Sequence, residues 1–165
     1  MFLAAWAELS GCTYSPPPET NSHGGAQLHS GLPVDAPTSM SYVSSCNIET
    51  LHDAPASGQA VPVQQGAALN LSGWVVDEAT HQSPIHVFIL VQSAESREYW
   101  WAPISGRLPR QDVAQSRNST LLSGFRATAD TSVLPPGEYL VMILFWQNGP
   151  SQVCDNGRRI MITSQ

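Results

Sequence analysis

The side chains best suited to bind a metal, a thiol or a reacting carbon are three cysteines, Cys12, Cys46 and Cys154, and five histidines. Their spacing does not assemble that chemistry. His23 and His29 have no cysteine or acidic neighbour at ligand spacing. His81 and His86 stand outside any His-Glu-x-x-His frame, and His86 is expected to face solvent or sit satisfied in the core. Asp77 and Glu78 end a strand but lack the regular oxygen spacing of a calcium loop, and Glu95 and Glu98 flank a hairpin turn as solvated acids. Ser105-Gly106 and Ser123-Gly124 lack the rest of a nucleophile elbow. No catalytic residue, metal site or cofactor is therefore expected, and the chain reads as a non-enzyme. The aromatic run Tyr99-Trp100-Trp101 is different. On a strand, neighbours face opposite ways, so either Trp100 or its two neighbours must turn from the core. Sugar rings stack their C–H faces on exposed aromatics, which makes Tyr99, Trp100 and Trp101 a candidate glycan-binding patch. The plainer alternative is an outward ring packed under a loop or against a helical turn. Trp74 and Trp146 stand in apolar strand settings and are expected in the core.

Charge narrows the partners. Among 165 residues there are seven basic side chains, all arginine, against 13 acidic ones, for a net charge of −6. A surface that tracks phosphates needs clustered positive charge, and Arg158-Arg159 is the only adjacent basic pair, so nucleic acid is excluded. An anionic membrane surface is disfavoured on the same ground unless attachment is covalent. The charged fraction of 12% is about half the usual share, as in many exported proteins. No apolar run approaches the roughly 18–20 residues that span a bilayer; the longest, 139–146, suits a buried strand.

Covalent attachment has a candidate. Leu9-Ser10-Gly11-Cys12 resembles the lipobox of bacterial lipoproteins, in which a peptidase cuts before a cysteine that carries diacylglycerol. The resemblance implies lipidation of Cys12 and a place in the cell envelope, with the domain in the periplasm or at the cell surface. Residues 1–11 then form a partial signal peptide. They contain no Lys or Arg, and Glu8 interrupts the apolar run, so the true start is expected upstream. Partners implied are the membrane and an envelope protein or glycan. Lipid on Cys12 also removes the odd cysteine, leaving Cys46 and Cys154 free to pair.

Behind Cys12, residues 12–45 are rich in Pro, Ser and Gly and carry few large apolar side chains, so they are expected to form a disordered tether. Residues 46–165 read as one domain of short strands at 46–51, 60–63, 68–76, 85–92, 98–102, 121–129, 138–146 and 159–163. Turn signals such as Pro135-Pro136-Gly137, Asn148-Gly149-Pro150 and Asp155-Asn156-Gly157 separate them, and a helical turn is expected near 111–115. Strands 85–92 and 139–146 are apolar on both faces and should be central. An all-β, immunoglobulin-like sandwich of about seven to eight strands accounts for the pattern. First and last strands often adjoin in such a sandwich, which would place Cys46 and Cys154 within bonding reach.

Four motifs in order strengthen that fold: Ser72-Gly73-Trp74-Val75-Val76-Asp77, Arg110-Gln111-Asp112-Val113-Ala114, Ser123-Gly124-Phe125 and Leu134-Pro135-Pro136-Gly137-Glu138-Tyr139. Their order and spacing over 69–163 resemble bacterial Ig-like accessory domains, noncatalytic attachments of surface and glycan-processing proteins. Each motif also has a structural account. Gly73 makes room beside a large ring, Asp112 caps the helical turn, Arg110 pairs with a carboxylate, Gly124 permits a bend and Gly137 a turn.

Overall fold

Alternation in the sequence becomes alternation in burial: Leu69, Leu71 and Val75 are sealed from solvent while Asn70, Ser72 and Trp74 between them are half-buried. The computed structural model describes residues 24–164. In chain order its elements are β1 (Ala26–Gln27), β2 (His29–Ser30), β3 (Met40–Val43), β4 (Cys46–Leu51), β5 (Ala54–Pro55), β6 (Ala60–Gln64), β7 (Ala68–Val75), β8 (His86–Ser93), β9 (Tyr99–Pro103), α1 (Gln111–Arg117), β10 (Gly124–Asp130), β11 (Gly137–Trp146) and β12 (Ser151–Thr163). All eight expected strands are present, as β4 and β6 to β12, and the expected helical turn is α1. The short β1, β2, β3 and β5 raise the number to twelve.

The strands form two sheets, β1-β10-β7-β4-β5 and β2-β9-β8-β11-β12-β3, with β6 pairing β12 beyond β3. Their inner faces share one core that includes Ile48, Leu71, Ile89, Phe125, Val141 and Phe145. The arrangement is that of an immunoglobulin-like sandwich. It includes a tyrosine corner: the Tyr139 hydroxyl, near the start of β11, donates to the Pro135 carbonyl at 2.7 Å. As their two-sided apolar pattern requires, β8 and β11 are central.

The expected disorder of 12–45 is corrected over residues 24–45. Here β1 pairs with β10, β2 with β9 and β3 with β12, and Leu28 is 2% exposed. Since β2 and β3 occupy opposite edges of one sheet, residues 31–39 bridge five strand spacings, roughly 24 Å, with a turn at 33–36 in which the Ala36 amide donates to the Pro33 carbonyl at 3.0 Å. Ala36 packs on the sheet's outward apolar cluster, so this strap crosses the outer face. Ser39 and Pro37 fasten its far end by accepting hydrogen bonds from the Ser151 amide and hydroxyl at 2.9 and 3.0 Å. A segment held by backbone pairing needs few large side chains, which is why its composition misleads. The remainder of the expected tether, 12–23, and the partial signal peptide lie outside the described residues.

Cys46 and Cys154 form a disulfide with Cα atoms 6.0 Å apart. Their strands are not side by side, however. Cys46 pairs with Val75 in the five-stranded sheet and Cys154 with Ile143 in the other, so the bond joins the two sheets. Beside it, Asp155-Asn156-Gly157 do not end a strand as expected; they bulge from β12 opposite Met142. Gly157 takes φ +67°, and Asn156 reaches across to β4, its Oδ1 accepting from the Ile48 amide at 3.0 Å and its Nδ2 donating to the Cys46 carbonyl at 3.2 Å. Arg158 Nε donates to the Ile48 carbonyl at 3.0 Å. The bulge thus satisfies the stretch of the β4 edge that β5, paired at Thr50 and Leu51, does not reach.

Three of the four sequence motifs meet at one place. In β4 the register shifts between Ile48 and Thr50, leaving Glu49 as an extra residue, and the bulge brings the backbone of Asn47 against Gly73, where any Cβ would collide with the Asn47 carbonyl. Arg110 grips Glu49 with two bonds of 2.7 and 2.9 Å and also holds Asp112. Its stem lies where a Cβ on Gly124 would come within 2.6 Å. Asp112 does not cap α1, whose N-terminus has no side-chain cap; its carboxylate is turned to Arg110 instead. That contact holds the Asp112 carboxyl at a pKa of about 2.

Candidate functional site

The outward face of the seven-stranded sheet carries the aromatic residues. Register sets Leu90 between Trp101 and Met142, and Phe88 between Pro103 and Leu144. Leu90, Met142, Leu144, Trp146 and Val153 form a second buried cluster there, flanked by Phe88, Tyr99, Trp101 and Leu140. Five rings run across it. His29 lies 4.8 Å from Trp101, Trp101 meets Phe88 edge-on at 5.3 Å, Phe88 stacks on Trp146 at 4.9 Å, and Trp146 stacks on His86 at 5.0 Å. Both terminal histidines are exposed.

Two residues of the candidate patch, Tyr99 and Trp101, belong to this face. Trp100 does not: it is 9% exposed, belongs to the inner core and packs edge-on against Tyr139 at 5.7 Å. Strand alternation resolves the choice between Trp100 and its neighbours in favour of the neighbours. Burial first, and Tyr42 second, raise the pKa of the Tyr99 phenol. Trp146 is buried as expected, though in the outward cluster rather than between the sheets. Trp74 departs from expectation. It faces outward from the five-stranded sheet, half-buried, beneath the Arg117 guanidinium, which lies 5.0 Å from its ring centre.

The rest of that second outward face is polar. Thr50, Asp53, Asn70, Ser72, Arg126 and Thr128 line a shallow groove of about 390 Å³. Its side chains largely bond one another: Thr50 and Ser72 share a hydrogen bond of 2.6 Å, Asn70 Nδ2 donates to Asp53 at 2.8 Å, and Thr128 donates to Asn70 Oδ1 at 2.8 Å.

Of the other groups weighed for chemistry, Glu78 and His81 meet around Arg117 and line one shallow hollow with it. Asp77 turns its Oδ1 to the Ala79 amide at 2.9 Å, closing its own turn, while Glu78 pairs with Arg117. His81 is exposed, its Nδ1 lying 3.3 Å from the Arg117 carbonyl. Among the described residues no three His, Cys, Asp or Glu side chains gather as metal ligands. Cys12 and His23 lie outside the described residues.

Sequence reasoning missed His29 and the strap because a two-residue strand has no periodicity to detect. It also missed the ring ladder, although the period-two placement of His86, Phe88 and Leu90 was there to read. The pairing of β8 with β9 and β11, which brings the rings together, is a long-range fact. No protein-family model, curated protein or solved structure matches the chain. Its function rests on its own residues.

Proposed function

We propose that this chain is a noncatalytic structural or interaction module of the bacterial cell envelope, held to a membrane by lipid on Cys12 and resembling the Ig-like accessory domains of surface proteins. The observation that supports this most is the Cys46–Cys154 bond, because with three cysteines in the sequence it leaves no second cysteine of the chain for Cys12, within Leu9-Ser10-Gly11-Cys12, to pair with. Two or three acyl chains on such a cysteine anchor a protein firmly, where one would not. The domain then stands in the periplasm or at the cell surface. Mass spectrometry of the N-terminal peptide, from the membrane fraction of a bacterial host expressing the chain behind a complete signal peptide, tests the anchor. A peptide that begins at acylated Cys12 and disappears in Cys12→Ala supports it. An unmodified Cys12 in a soluble protein overturns it.

A second reading, glycan binding, is favoured by the ring ladder from His29 to His86. Its half-buried Trp101 and Phe88 offer the flat apolar surface on which sugar rings stack. A soluble polysaccharide should then quench tryptophan emission in the parent chain and lose that effect in Trp101→Ala. A broad panel of glycans without any response removes this reading and leaves the first intact.

A further inference from the structure

The seven-stranded sheet ends on a strand unlike the other strands at the sheet margins. β3 pairs with β12 through one side, and among the described residues no strand pairs with the other. The Ser39 carbonyl accepts from the Ser151 amide, so by alternation Ser41 and Val43 turn their backbone groups to β12, while Met40 and Tyr42 turn theirs outward. Two N–H and two C=O groups thus stand open. Such an edge is a template for another strand, and folded proteins blunt it with proline, charge or brevity. Elsewhere this molecule does so. β1, β2 and β5 are two residues long, and β6 carries Pro62 at a position facing away from β12, where an amide would otherwise be open. Neither device protects β3: the strand contains no proline, and residues 36–48 carry no charged side chain. Met40 and Tyr42 are 42% and 70% exposed, on the same face as Val153 of the outward apolar cluster. Ser41, on the opposite face, is exposed as well.

We propose that β3 is a dimer contact occupied by β3 of a second copy, running antiparallel about a two-fold axis at Ser41. In that register Met40 of one protomer and Tyr42 of its partner exchange both backbone bonds, and the reverse pair does the same, so every open group is satisfied. The side chains match too. Each Met40 thioether lies beside the Tyr42 ring of the other copy, a contact that sulfur favours, and Ser41 stands opposite Ser41 on the inner side. A net charge of −6 sets two copies against each other, but the strips that meet are neutral, and salt screens the more distant charges. Each copy has one such edge and a two-fold contact uses it up, so association stops at two instead of growing into a fibre. The interface is small, which makes the dimer weak and dependent on concentration. It requires neither lipid on Cys12 nor glycan binding.

The test is sedimentation equilibrium of the whole chain, its Cys12 thiol blocked with iodoacetamide so that no disulfide can join two copies. Between about 10 µM and about 1 mM, in about 0.15 M salt, the weight-average mass should climb from 17.8 kDa towards twice that value. Ser41→Asp and Ser41→Lys each set like charges against each other across the axis, where the Cα atoms stand roughly 4.5 Å apart, and should weaken association at least tenfold. Because Ser41 is exposed, both variants should melt near the parent temperature. An equimolar mixture of the two brings opposite charges together and should associate at least as tightly as the parent chain. That rescue identifies the axis, since it needs position 41 to meet itself. A parent chain still monomeric at about 1 mM leaves the edge to a strand of another protein and overturns the proposal. Undiminished association of either variant, a mixture that stays monomeric, or growth beyond two copies overturns it equally.

Discussion

The two outward faces of this sandwich are built on the same alternation and end differently. Facing out from β8 and β11 are Phe88, Leu90, Met142, Leu144 and Trp146; facing out from β7 and β10 are Asn70, Ser72, Arg126 and Thr128. A sheet face can be left to water only if its side chains are polar. The second face meets that condition, apart from Trp74, which Arg117 of α1 covers. The first does not, and the strap from Gly31 to Ser39 crosses it while its own rings cover one another. The seven-stranded sheet thus has apolar layers on both sides, and the five-stranded sheet has one. Outward position alone does not predict which substitutions the molecule tolerates.

The largest effect should come from the bond that makes both sheets one unit. Removing Cys46 and Cys154 together, as Cys46→Ala/Cys154→Ala, opens a loop of sequence separation 108 and should cost about 4 kcal/mol, lowering Tm by roughly 10–20 °C. Calorimetry reads this directly. Next is Leu144→Ala. Leu144 faces away from the main core yet is 0% exposed, so its truncation should cost about 3 kcal/mol, as for an inner leucine. A urea midpoint close to that of the parent chain would show that the outward cluster is a surface rather than a second core.

Much of this was legible from local pattern. The two-sided apolar runs in β8 and β11 announced central strands, and the alternation of β7 announced a one-sided sheet. The Cys46–Cys154 pairing was expected from setting Cys12 aside for lipid and from first and last strands lying side by side; the bond is there, but it runs between the sheets, since sequence gives no sheet assignment to β4. What stayed hidden was whatever depends on backbone pairing across long separations. The Pro- and Gly-rich residues 24–45 look like solvated chain because their stability comes from partners on β9, β10 and β12. The bulge at 155–157 looks like a turn because Asn and Gly suit both. Trp100 and Trp101 could be separated only once β9 was placed against β8.

A smaller effect should come from Arg110, which joins β4 to α1 at the edge of the polar face. Arg110→Ala removes a two-point grip on Glu49 and should cost about 1–2 kcal/mol, more than an ordinary surface pair. The same guanidinium depresses the Asp112 pKa from 3.8 to about 2. A carboxyl whose folded pKa is lowered stabilises the fold above its unfolded value and loses that effect as pH falls through its folded value. The Asp112 contribution should therefore be complete above about pH 5, fade as pH falls through the folded pKa of about 2, and be gone by about pH 1. Urea melts of the parent chain and Asp112→Asn should differ at pH 5 and converge towards pH 1. A difference that stays the same size at pH 1 would assign the effect to shape rather than charge.

The smallest effect should be Thr128→Val, the counterpart of Leu144→Ala on the polar face. Thr128 is half-buried and donates one hydrogen bond to Asn70. Valine keeps the branched shape that suits a strand, and Asn70 retains its bond to Asp53. The change should stay within about 0.5 kcal/mol, since the Asn70 oxygen regains a partner from water at an accessible groove. A thermal melt that drops as far as for Leu144→Ala would mean that this groove is closed to water in solution. The polar face would then have a cover of its own, and the contrast between the two faces would collapse. An unchanged melt, set beside a large loss for Leu144→Ala, locates the asymmetry in what each face exposes rather than in the strands that carry it.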